Sequence, residues 1–186
     1  MAEEGVTVEV GPRTAPSIEH LRDDLLQGDK IIYLEKRGGW AYDLGKVKIS
    51  EKEIIIQSDG SKIPMPDSTV ATIYAKDLFG SRGMLAMEPE NSKFSFSLEE
   101  NIGVNFGPEW FRVLRSGGKA IVVETASPTD RNALKSEFVG AGFRLLEEHL
   151  GTDLGKVFKE KKIFGRMGER ALGEDAYALV LEKPER

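Results

Sequence analysis

Short runs of β-branched and aliphatic residues alternate with amphipathic stretches along this chain. Val6–Val10 reads as a strand that ends at Gly11-Pro12. Ile18, Leu21, Leu25 and Leu26 then recur at helical spacing, with Glu19, Arg22, Asp23 and Asp24 between them, which predicts a helix from Pro16 that Gly28 stops. Lys30–Leu34 is a compact apolar run ending at Glu35, the pattern of a strand buried on both faces. After a weak signal for a short helix at 40–44, Ile54–Ile56 forms a third strand closed by Ser58-Asp59-Gly60. The prolines of Ile63-Pro64-Met65-Pro66-Asp67 exclude helix and central strand there.

Thr69–Ala75 predicts a fourth strand, and the Gly, Met, Pro and Asn-rich residues 79–97 a long loop. A helix follows over Leu98–Leu114, broken or restarted at Gly107-Pro108, and Ala120–Val123 is the fifth strand. Ser127 or Thr129 caps a helix reaching Val139; Phe143–Leu150 and Tyr177–Leu181 are the last strands. Between those two lies a second long loop, 151–173, without a helical pattern. Strands alternating with helices predict an α/β fold: a Rossmann-like three-layer sandwich on a seven-stranded, mostly parallel sheet. The last strand is expected antiparallel, since no full helix precedes it.

The 186 residues predict a single domain over 1–186. With no cysteine and only His20 and His149, neither a disulfide scaffold nor a thiolate or histidine-rich metal site is expected. No apolar run is long enough to span a membrane, and the acidic Met1-Ala2-Glu3-Glu4 start lacks signal-peptide features, so a cytoplasmic protein is expected. The net charge of −5 argues against nucleic acid as a partner. One stretch runs the other way: Lys156, Lys159, Lys161, Lys162, Arg166 and Arg170 make 156–170 basic, a candidate surface for a protein partner.

Open α/β sheets bind ligands beyond the carboxyl ends of their strands. The first strand delivers Glu9-Val10-Gly11 into a turn, and Glu35 ends the second strand 24 residues after Gly11. That is the spacing at which an acid after a glycine turn meets ribose hydroxyls. Asp59 and Asp77 follow the third and fourth strands.

On these residues the chain resembles the class I S-adenosylmethionine-dependent methyltransferases. Glu9 and Gly11 match the start of the family's acidic-x-Gly-x-Gly-x-Gly turn, Glu35 its ribose-binding acid, and Asp59 its aspartate near the adenine. Ile63–Ser68 resembles the family's leucine-proline-phenylalanine loop. Phe111–Gly118 is similar to its helix-to-fifth-strand signature, and Ala141-Gly142-Phe143 to the turn opening its sixth strand. The resemblance implies S-adenosylmethionine as cofactor, held by Glu9, Gly11, Glu35 and Asp59, with an acceptor entering beside Asp77, the candidate catalytic base.

The chain departs from the family at Arg13 and Ala15, where glycines are usual. It reaches its first strand within a few residues, where members carry leading helices. Ala75-Lys76-Asp77-Leu78 stands where an amino-directed branch has Asn/Asp-Pro-Pro-aromatic. Three functions are therefore open: a methyltransferase, a methyltransferase-like interaction or regulatory subunit without transfer chemistry, and a nicotinamide-dependent oxidoreductase. Trp40 and Trp110 are expected in packing roles, as are Met84 and Met87.

Overall fold

The apolar runs become the strands of one sheet. A computed structural model describes residues 5–11, 18–35, 52–76, 78, 106–125, 128–159, 162–165, 168–171 and 176–185. The strands are β1 (Val6–Val10), β2 (Lys30–Glu35), β3 (Glu53–Gln57), β4 (Val70–Lys76), β5 (Leu114–Thr125), β6 (Arg144–Leu150), β7 (Lys162–Gly165), β8 (Gly168–Ala171) and β9 (Ala176–Glu182). Seven form a sheet in the order β3-β2-β1-β4-β5-β9-β6. β1 to β5 run parallel, and β9 is antiparallel to both β5 and β6. The expected mostly parallel sheet with an antiparallel last strand is the one observed.

Strand alternation divides the core in two. Val8, Val10, Leu34, Ile73, Ala75, Val122 and Leu179 face α1 (Phe106–Val113) and α2 (Pro128–Gly140). Tyr33, Tyr74, Ile121, Val123, Ala178 and Val180 face Ile18, Leu21, Leu25, Leu154, Val157 and Phe158 on the other side. Pro108 sits in the first turn of α1, where its missing N–H costs nothing.

The helix expected from Pro16 is not what the described part of that segment forms. It makes two 3-10 turns, Ile18–His20 and Asp23–Leu25, parted by Arg22 at ψ 141°. Its backbone pairs outward instead: Leu21 bridges Phe158, Arg22 N donates to Val157 O at 3.0 Å, and Lys159 N donates to His20 O at 2.8 Å. Tertiary hydrogen bonds have overridden local helical spacing. Residues 151–173, expected as loop, hold a 3-10 turn (Gly151–Lys156) and the β7–β8 hairpin. β5 begins six residues earlier than the apolar run suggests, because Gly117, at φ +72°, takes the chain around a bulge and pairs with Lys183.

The same outward pairing builds an ion network. Arg22 donates to both oxygens of Glu147 (2.8 and 3.2 Å), to Asp24 and to Lys156 O, while His149 Nε2 lies 2.7 Å from Glu147 Oε2. The Arg22 hydrogen bond chiefly lowers the Glu147 carboxyl from 4.5 to about 2. A depressed carboxyl contributes stability above its unfolded value and loses it as pH falls toward the folded one. Wild-type protein should therefore lose stability from this pair between pH 4.5 and 2. Glu147→Gln should be less stable at pH 7 and flatter across that window in urea melts, and parallel pH profiles for the two proteins would contradict the pairing.

Candidate functional site

The parallel strands place the ends of β1, β2 and β3 side by side on one rim, and backbone bonds tie them together. Gly11 N donates to Leu34 O at 2.8 Å, and Ser58 N donates to Glu35 O at 3.2 Å. Gly11 has φ +68°, a left-handed turn that glycine takes without strain. Gly11, Glu35 and Asp59 thus occupy adjoining strand ends in the order the sequence predicts.

Their side chains have different surroundings. Glu35 is buried as the last residue of β2. Glu9 is also buried and stands in register with Tyr33 and Tyr74, on the face of the 3-10 turns. There its Oε2 accepts from Ile18 N at 3.3 Å and holds the chain as it returns from the glycine turn. Asp59 Oδ1 accepts from Ser61 N and Ser61 Oγ at 3.0 and 2.9 Å, an Asx turn that fixes its own loop. Asp77, Arg13, Ala15, Trp40, Met84, Met87, the short helix at 40–44, the loop 79–97, the first part of the 98–114 helix and the cap Ser127 lie outside what the structure describes. Thr129 is the second residue of α2, which begins at Pro128, and so is not its cap.

The turn after β3 is pressed onto the sheet. A Cβ on Gly60 would stand 2.3 Å from Val10 Cγ1, so only glycine fits, and Gly60 O accepts from Trp110 Nε1 at 3.0 Å. Trp110 is wholly buried between Phe106 and Phe138, as its packing role predicts.

Two of the family-like motifs prove to be joined to each other. Arg112 of α1 donates to Ile63 O and Met65 O, pairs with Asp67, and lies bidentate on Glu109, whose Oε1 accepts from Ile63 N at 2.7 Å. That Arg112 bond keeps the Glu109 carboxyl below the usual range. Lys183 Nζ donates to Phe111 O and Leu114 O, both at 2.7 Å, and to Ser68 Oγ, satisfying carbonyls at the end of α1. In this chain the proline loop and the helix-to-strand signature therefore fasten each other where β4 and β5 begin, at the edge of the sheet opposite Gly11.

Sequence reasoning passed over Glu124. It is buried near the end of β5, and its Oε1 accepts from Leu78 N at 2.6 Å. An acid directly after the apolar run Ala120–Val123 was the signal, the same one that marks Glu35. In the basic segment, Lys156 pairs with Asp153 at 3.3 Å and Lys159 with Asp23 at 2.5 Å. No described helix is long and apolar enough to cross a membrane, and the described residues contain no cluster of three or more metal-ligating acids or histidines.

No protein-family model matches the sequence, and no curated protein does. Solved structures do. A chain in the complex of the Haloferax volcanii Trm112 methyltransferase activator is 12% identical over 100% of this chain and 85% of its own, with a TM-score of 0.64. A SAM-dependent methyltransferase of Methanosarcina mazei is 12% identical over 100% and 95%, at 0.63. The [4+2]-cyclase SpnF is 17% identical over 99% and 77%, at 0.62. At these identities the likeness establishes the fold, which is that of the class I S-adenosylmethionine-dependent methyltransferases.

Proposed function

We propose that this chain binds S-adenosylmethionine across the ends of β1, β2 and β3 and carries out methyl transfer in the cytoplasm. The observation that carries this is the joined rim: a left-handed Gly11 bonded to the tip of β2, with the buried Glu35 there. In this reading Gly11 lets backbone approach the cofactor, Glu35 accepts from the ribose hydroxyls, and the Asp59–Ser61 turn walls the adenine. The cofactor supplies an activated methyl group. The chain's own work is to orient the acceptor in line beside Asp77 and to exclude water, and transfer of this kind needs no nucleophile from the protein.

We further assign the segment 156–170 to a protein partner. β6 ends and β9 begins on the same rim as Gly11, so the insert between them leaves and re-enters the sheet there. Six Lys/Arg against two Asp/Glu give 156–170 a charge of +4 in a chain of net −5, which suits an acidic protein surface. The Haloferax neighbour's complex with an activator is consistent with partnering.

One observation favours the second reading, an interaction subunit without transfer chemistry: the carboxylates of Glu9 and Asp59 are engaged by the chain's own backbone. Thermal melting with S-adenosylhomocysteine decides between them. A ligand at 100 times its Kd adds about 2.7 kcal/mol, a Tm rise of roughly 5–10 °C for a domain of this size. No rise at millimolar ligand supports the non-catalytic subunit, and a rise with a nicotinamide cofactor alone supports an oxidoreductase.

A further inference from the structure

We infer that Glu124 is a positioning residue of this site, clamping the chain where it leaves β4 and setting Leu78 against Gly11. The inference rests on the proposed cofactor site but on a different set of contacts. β4 ends at Lys76, in register with Val123 of β5. Two residues on, Leu78 N donates to Glu124 Oε1 at 2.6 Å, so the exit from β4 is drawn across to the tip of β5. The Leu78 side chain reaches the other way: its Cδ1 lies 3.1 Å from where a Cβ on Gly11 would stand. One short segment thereby spans the ends of β1, β4 and β5, and its two fixed points are a buried carboxylate and the glycine turn.

A carboxylate is a costly way to fill buried space. Glu124 is 1% exposed on the helix-packed side of the sheet, alternating with Val123 and sharing the face of Val122. A neutral side chain would pack there without the desolvation penalty. What the carboxylate adds is a short, charge-assisted bond to a backbone N–H, stronger and more directional than a neutral one. It adds this at the carboxyl ends of the strands, where open sheets bind ligands. Fixing the Leu78 N–H also fixes the side chain that lies against Gly11. Errors of about 1 Å in such placement cost on the order of a hundredfold in rate. Leu78 itself gives the glycine turn an apolar neighbour.

The test compares wild type, Glu124→Ala, Glu124→Gln and Leu78→Ala by two readouts. Amide hydrogen exchange at Leu78, followed by NMR without ligand, reports the clamp, and calorimetric titration with S-adenosylhomocysteine reports the site. In Glu124→Ala, Leu78 exchange should quicken at least about tenfold and affinity should fall about tenfold or more, the loss expected for one charge-assisted hydrogen bond. Glu124→Gln keeps an accepting oxygen and should recover most of both. Leu78→Ala should weaken binding while leaving its own amide protected, and it carries the test if Glu124→Ala fails to fold. A folded Glu124→Ala or Leu78→Ala that binds as tightly as wild type overturns the inference, and so does unchanged Leu78 exchange in Glu124→Ala. Wild type that binds no S-adenosylhomocysteine removes the cofactor site and this role together. Wild type that binds, with variants that bind equally, removes this role alone.

Discussion

Trp110→Ala should lower stability by about 3–5 kcal/mol, the range for truncating a buried tryptophan, and Tm by roughly 6–20 °C. The ring is wholly buried in α1, lies 5.3 Å from Phe138 and 6.2 Å edge-on from Phe106 (centroid distances), and donates its only N–H to Gly60 O. Removing it opens a cavity between α1, α2 and the sheet and leaves the Gly60 carbonyl buried without that donor. Trp110→Phe separates the two effects, since it keeps most of the volume and loses the hydrogen bond, at about 1–3 kcal/mol for a buried acceptor left unmet. Because Gly60 belongs to the turn proposed to wall the adenine, both variants should also bind S-adenosylhomocysteine more weakly. Urea and thermal melts check the first claim. A loss under about 1 kcal/mol in Trp110→Ala, well short of the usual truncation cost, would mean that this ring does not join the turn to the helices.

Glu35→Ala should abolish the thermal response to S-adenosylhomocysteine while leaving the unliganded fold intact. Hydrogen bonds to a charged group contribute about 1.5–3 kcal/mol each, so two ribose hydroxyls on one carboxylate account for about 3–6 of the roughly 8 kcal/mol of a micromolar affinity. The apo protein has less to lose. Glu35 ends its strand, its backbone bond to Ser58 survives the substitution, and a buried carboxylate is expensive to keep. Glu35→Gln should retain part of the response through its remaining oxygen. An unchanged response in Glu35→Ala would put the ribose elsewhere.

The inner strands of the main sheet were legible because each holds a short apolar run whose two faces are both covered. Lys30–Leu34 and Tyr177–Leu181 show this most plainly, with observed ends one residue beyond the predicted ones. The β7–β8 hairpin escaped because its strands pair with each other alone and carry lysines, arginines and glycines in place of an apolar run. The expected helix from Pro16 failed for the opposite reason. Its apolar positions are buried as foreseen, but the backbone between them bonds to residues 157–159, a partner some 135 positions away that no local pattern reveals. Of the site, the positions of Gly11, Glu35 and Asp59 on neighbouring strand ends were readable from spacing. The Asx turn of Asp59 depends on the Ser61 N–H and hydroxyl that it receives in the folded loop. Glu124 shared the signal of Glu35, yet its importance depends on Leu78 crossing from β4 to β5, which only the folded chain displays.

The central claim is that Gly11, Glu35 and the turn at Asp59 form one adenosine-binding surface. Amide chemical shifts recorded during titration of the wild-type protein with S-adenosylhomocysteine test it most directly. The account predicts saturable changes that are largest at Gly11, Glu35 and Ser58–Gly60. Saturable changes confined to other parts of the molecule, or none at millimolar ligand, would contradict it.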